Sequence, residues 1–239
     1  MAFPTIESTT GSVDDANTDT LDLTVTITSA KYVLVMASRL RGNTITSVTW
    51  DQGGANTDVP ALGAQQNGAG WGGIRLYGLA FPSAGTKTMR MVAAGGPDQI
   101  AMCVVAIMEE VEVGNYTSAA FSDSGTTFTD SMSVSCANGD AVFFGNSDDA
   151  GTGLITSIDA TSGNTFLARI NTGSSDSSSS TGWGLSNGAS KTVGFDYVCS
   201  AGPGDSAMAA VRLREVIAGG AADTYLISRR RQTFFRAAQ

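Results

Sequence analysis

Residues 99–113, QIAMCVVAIMEEVEV, form the longest apolar run in the chain, and their reading decides the fold. Ile100, Met102, Val104, Ala106 and Met108 fall on one alternating face, and Ala101, Cys103, Val105 and Ile107 on the other. A strand that is apolar on both faces needs cover on both. Its apolar core stops well short of the roughly 20 residues of a membrane helix, and Glu109, Glu110 and Glu112 close it. The run is read as a core strand, with no membrane role.

The run has a second copy. Tyr77-Gly78-Leu79 matches Trp183-Gly184-Leu185, Gly96-Pro97 matches Gly202-Pro203, and Ala101-Met102 matches Ala207-Met208, all 106 positions apart. Val105, Ile107 and Glu109 continue the match as Val211, Leu213 and Glu215. Ile45-Thr46-Ser47-Val48 reappears as Ile155-Thr156-Ser157-Ile158 at a spacing of 110. An internal repeat precedes every local assignment because it fixes the architecture. Two equivalent halves are expected, over residues 18–113 and 126–216, behind a polar lead-in at 1–17.

The repeat also resolves a conflict. Residues 205–219, DSAMAAVRLREVIAG, carry helix signals: Asp205 or Ser206 as cap, good helix formers inside, Gly219 as stop. Their partner at 99–113 is rich in β-branched residues and opens on Gly-Pro-Asp, a turn signal. The second copy is therefore assigned as a strand.

Other strands are expected at 20–28, 32–37, 44–50, 74–81 and 86–93, and in the second half at 128–135, 141–145, 154–159, 165–171, 182–186 and 192–199. Between them lie a long Gly-, Asn- and Gln-rich excursion at 51–73, which contains Trp71, and a low-complexity loop at 171–181. Short, evenly spaced strands without alternating helices predict an all-β chain, a β-sandwich or jelly roll. Residues 113–126 lack the Pro-rich or charged character of a free linker, so a single body is expected.

Of 239 residues only 15% are charged, and 29 are Gly. Residues 1–216 carry 10 basic and 21 acidic groups, a balance of −11; residues 217–239 carry Arg229, Arg230, Arg231 and Arg236 against Asp223, a balance of +3. Such a body repels nucleic acid, while its end seeks something acidic. No basic stretch followed by an apolar run opens the chain, so synthesis and assembly in a cytoplasm are expected. Cys103, Cys136 and Cys199 show no metal-like spacing, and unpaired thiols are expected in preference to a Cys136–Cys199 disulfide.

Histidine is absent, which removes Ser-His-Asp and Cys-His nucleophile systems and the commonest metal ligand. There is no phosphate-binding G-x-x-x-x-G-K-[ST] and no G-x-S-x-G. Glu109 and Glu215 are better read as solvated strand ends than as a glycosidase pair. The Asp14–Asp19 stretch lacks the glycine and the final glutamate of a calcium loop. No enzyme activity, metal or cofactor is expected. Trp71, set among Gly68, Gly70, Gly72 and Gly73, is the one candidate for an exposed ligand contact such as a sugar face.

The succession Lys31-Tyr32-Val33-Leu34-Val35, Ile45-Thr46-Ser47-Val48-Thr49-Trp50-Asp51, the hairpin YGLAFPSAGTKT from Tyr77 to Thr88, and the small-residue-rich apolar strand resembles β-sandwich proteins found among tailed-bacteriophage virion components and bacterial surface proteins. The resemblance spans residues 21–216. It implies a jelly-roll-like fold and a structural or adhesive role, and brings no catalytic residue. Residues 217–239 resemble the extended arms by which virion proteins clamp neighbours, with Tyr225, Leu226, Ile227, Arg229, Arg230, Arg231, Phe234, Phe235 and Arg236 as partner contacts. The expected function is a virion structural protein, a capsid decoration or cement protein bound to the major capsid protein or another virion protein. A homo-oligomer is expected, a trimer ahead of other forms. A tail or head-fibre component and a carbohydrate-binding adhesion module are the alternatives.

Overall fold

A computed structural model of the chain describes residues 3–14, 19–39, 44–68, 72–94, 99–122, 125–149, 155–171, 177–200 and 205–217. These residues form antiparallel β-strands and, among them, no helix. The all-β expectation holds.

The doubly apolar run becomes β9 (Ile100–Ile107), buried at every position. It lies between β1 (Ile6–Asp14) and β3 (Tyr32–Arg39), with β7 (Gly73–Ala80) and β6 (Gln66–Asn67) beyond β3. Met102, Val104 and Ala106 face a second sheet, ordered β2 (Thr20–Ile27), β8 (Gly85–Ala94), β4 (Thr44–Trp50), β5 (Thr57–Asp58). Between these sheets lies a core with Leu21, Val25, Trp50, Met89 and Met91. Ala101, Cys103, Val105 and Ile107 point the other way, onto the second half of the chain.

That half is built alike. Its inner sheet runs β10 (Val111–Ser122), β17 (Asp205–Glu215), β12 (Ala141–Asp149), β15 (Ser177–Leu185), β14 (Thr165–Asn171). Its outer sheet runs β11 (Thr127–Ser135), β16 (Ser190–Cys199), β13 (Ile155–Ala160). The inner sheets stack through Leu34, Met36, Leu76, Phe143, Val211 and Leu213, and Val134, Phe144, Phe195 and Tyr197 fill the third core. Four layers thus enclose three cores. The middle core is shared, which is why both long apolar strands are buried on both faces. β1 meets β14 where the inner sheets stack, and β6 meets β10.

Among the described residues the strand order is the same in both halves, β5 alone having no counterpart. Local irregularities match as well. β4 bulges between Ile45 and Ser47 against β8, and β13 bulges between Ile155 and Ser157 against β16. At each bulge a threonine hydroxyl donates to the partner strand, Thr46 Oγ1 to Val92 O and Thr156 Oγ1 to Val198 O, both at 2.9 Å. β17, the stretch with helix signals, is a strand buried along most of its length.

The ladders correct one sequence match. Val35 lies opposite both Val104 and Tyr77, whereas Phe144 lies opposite both Ala210 and Gly182. Tyr77 therefore corresponds to Gly182, and Trp183 to Gly78. One step along a strand changes the face: Tyr77 sits in the first outer core, while Trp183 packs against the shared core.

Three further expectations change. The lead-in at 1–17 supplies β1, the joint at 113–126 lies for the most part within β10, and the loop at 171–181 supplies the start of β15. All three are polar strand segments without apolar alternation, held by backbone pairing with β9, β17 and β12. The chain passes between halves through Met108, Glu109 and Glu110 alone. The excursion at 51–73 is stitched down where it is described: Tyr116 Oη donates to Ala64 O at 2.7 Å, and Arg75 Nε to Gly63 O at 2.9 Å. The three cysteines are buried and form no disulfide, and burial pushes the Cys103 thiol up to about 12.

Candidate functional site

The acidic closure of the long apolar run lies where β9 hands over to β10 and where β17 ends. Glu109 accepts the Thr5 N–H on both oxygens, at 3.1 and 3.0 Å, and so pins the chain ahead of β1. Glu110 pairs with Lys31 at 3.4 Å, and Glu112 with Arg212 at 3.0 Å. Glu215 is exposed and has no cationic partner among the described residues. The carboxylates considered as an acid and nucleophile pair are thus an anchor and a strand end.

Apolar side chains share this end. Phe81 is 64% exposed, Val216 48%, Ile217 70% and Val113 36%. Phe81 N donates to Lys31 O at 2.7 Å, Lys31 pairs with Glu110, and Val216 N donates to Glu110 O at 2.8 Å, so short links join them. Phe81 adopts φ 51°, a left-handed conformation unusual for a bulky residue and held here by that hydrogen bond to Lys31.

Beneath lies Asp140, nearly buried. It accepts from Ala137 N at 2.7 Å and from Arg214 Nε and Nη2 at 2.8 and 3.1 Å, with Arg212 at 3.7 Å. Burial alone pushes its carboxyl up, but the bonds from Arg214 and Ala137, with the charges of Arg214 and Arg212, hold it below its ordinary value. Between the lowered folded pKa and the ordinary value near 4 the unfolded chain binds the proton and the folded one does not. The stabilisation is therefore complete above about pH 4 and is lost as pH falls through the folded value. Asp140→Asn is expected to cost about 2 kcal/mol at neutral pH and to flatten the acid limb; thermal melts of both proteins from pH 7 to 2 check this.

The second outer core has a polar end formed by Asp130, Asn146, Asp148, Ser180, Tyr197 and Ser206, all buried. Asn146 Nδ2 donates to Tyr197 Oη at 2.6 Å, Asn146 Oδ1 accepts from Ser180 N at 2.7 Å, and the Ser206 hydroxyl donates to Asp130. At the ladder-equivalent positions of the first half stand Leu23, Ala37, Met91 and Ile100, matching Asp130, Asn146, Tyr197 and Ser206. Sequence reading missed this group because its members come from five strands. The one signal was Ser206 standing where the first copy has Ile100.

Of the sequence-derived candidates, Trp71 and the arm residues Tyr225, Leu226, Ile227, Arg229, Arg230, Arg231, Phe234, Phe235 and Arg236 lie outside the described residues. The other two tryptophans serve packing. Trp50 is buried with its Nε1 donating to Ser83 Oγ at 3.0 Å, and Trp183 stacks on Phe143 at 6.2 Å. No family model, curated protein or solved structure matches the chain.

Proposed function

We propose that the protein is a bacteriophage virion component, a decoration or cement protein on the capsid, with a structural and not a catalytic role. The observation that supports this reading is the strand order. In the first half, β1-β9-β3-β7 faces β2-β8-β4-β5, the order of a jelly roll, an architecture that serves in viral capsid proteins and lectins. On this reading the second half is a duplicate of the first, a jelly roll whose outer sheet has one edge strand fewer among the described residues. The two inner sheets meet as the halves of a dimer fused into one chain. The acidic body and the cationic, aromatic residues 217–239 divide the work: the first is a compact wall unit, the second grips a neighbouring virion protein.

The test is made on particles. Electron microscopy of purified virions should place a four-layer body on the capsid surface, and deletion of residues 217–239 should leave a folded protein that no longer incorporates. Absence of the chain from purified particles by mass spectrometry overturns the proposal. Its presence on the tail alone moves it from a decoration protein to a fibre or tail component.

A further inference from the structure

The acidic end is a surface with exposed apolar groups, a surplus of charge and a defined chain exit. Its acids are Glu7, Glu109, Glu110, Glu112, Asp140 and Glu215; its bases are Lys31, Arg212 and Arg214, each already paired to one of those acids. Charge of about −3 is left over, and Glu215 carries one unit of it without a cationic partner among the described residues. Phe81, Val113, Val216 and Ile217 supply the apolar area.

Ile217, the last of the described residues, lies on this surface. The chain continues for 22 residues with a balance of +3, its arginines bracketed by Tyr225-Leu226-Ile227 and Phe234-Phe235. Charge and apolarity therefore complement the surface that the segment leaves. Eleven residues separate Ile217 from Arg229; extended, they reach about 36 Å. Five paired strands are only about 20 Å across, so a spacer of that reach is long enough to span its own end and meet a neighbour.

We infer that residues 218–239 of one copy seat on the acidic end of a second copy, with the tyrosine and phenylalanines against Phe81, Val113 and Val216 and the arginines against Glu110, Glu112 and Glu215. Two copies meeting this way exchange segments, and bodies that would otherwise repel are joined by the one cationic stretch each possesses. The inference rests on the reading of residues 217–239 as a gripping arm and names its acceptor.

Light scattering on the full chain, at low and at physiological salt, tests it without any particle. The full chain should be multimeric, with dissociation promoted by salt. The chain lacking residues 218–239 should be monomeric and should bind a synthetic peptide of those residues. Glu215→Lys, which breaks no ion pair among the described residues, and Phe81→Ser should each weaken peptide binding at least tenfold with the melting temperature retained. A monomeric full chain overturns the inference, as does an unchanged mass after deletion or undiminished binding by both variants; a monomeric full chain whose peptide still binds the truncated body assigns the segment to its own copy instead. Self-association without incorporation into particles sinks only the virion role, and incorporation of a monomer sinks only the acceptor named here.

Discussion

Phe143→Ala is expected to destabilise the protein by about 4 kcal/mol. Phe143 is fully buried in the core shared by the two inner sheets and stacks on Trp183. Its loss removes a large transfer term and leaves a void that two stiff sheets cannot close. For a chain of this size the melting temperature should fall by about 12 °C, read by calorimetry or urea unfolding. Since the site joins the halves, unfolding should also lose cooperativity, and a second transition should emerge. An effect below 1 kcal/mol would mean that the inner sheets do not pack as described.

Gly194→Ala is expected to cost about 3 kcal/mol, with Gly188→Ala as its control. A Cβ on Gly194 would stand 2.1 Å from Asp130 O and 2.9 Å from Ser131 Cα on the neighbouring strand. Backbone paired in a ladder cannot yield as a side chain can, so β16 must shift away from β11. At Gly188 a Cβ meets nothing within 4 Å, and there alanine should be neutral or slightly stabilising through the unfolded chain. Equal melting temperatures for the two variants would contradict the register of β11 against β16.

The legible part of the fold was the part written in apolar side chains. β9 announced an inner layer because a strand buried on both faces has no polar face to show, and β17 became readable as a strand once aligned with it. β1, β10 and the start of β15 were not legible, since their place is fixed by backbone hydrogen bonds to a partner strand and their side chains carry little pattern. The match of Tyr77 with Trp183 failed for a related reason: aromatic identity aligned the letters, while the pleat assigns opposite faces to neighbours one step apart. Of the candidate sites, the carboxylates were visible as residues, but their roles depended on Thr5, Lys31 and Arg212, which are distant in sequence. The polar end of the second half depends on the convergence of five strands, which no local pattern reports.

The pairing of first strand with last has a consequence for how the chain is made. Among the described residues β1 pairs as a strand with β9 alone, and β10 lies at the sheet edge beside β17. Neither half can complete its inner sheet until its final strand has left the ribosome, about 100 residues after the first. At the usual pace of synthesis that is roughly 5–20 s, during which the edges of β3 and β12 are open and the shared apolar face is uncovered. Contacts of such long range also fold slowly. The nascent first half must wait, sheet edge exposed, for a partner that is still being translated, so the yield of native protein should depend on chaperone supply and on translation rate more than on the stability of the finished molecule.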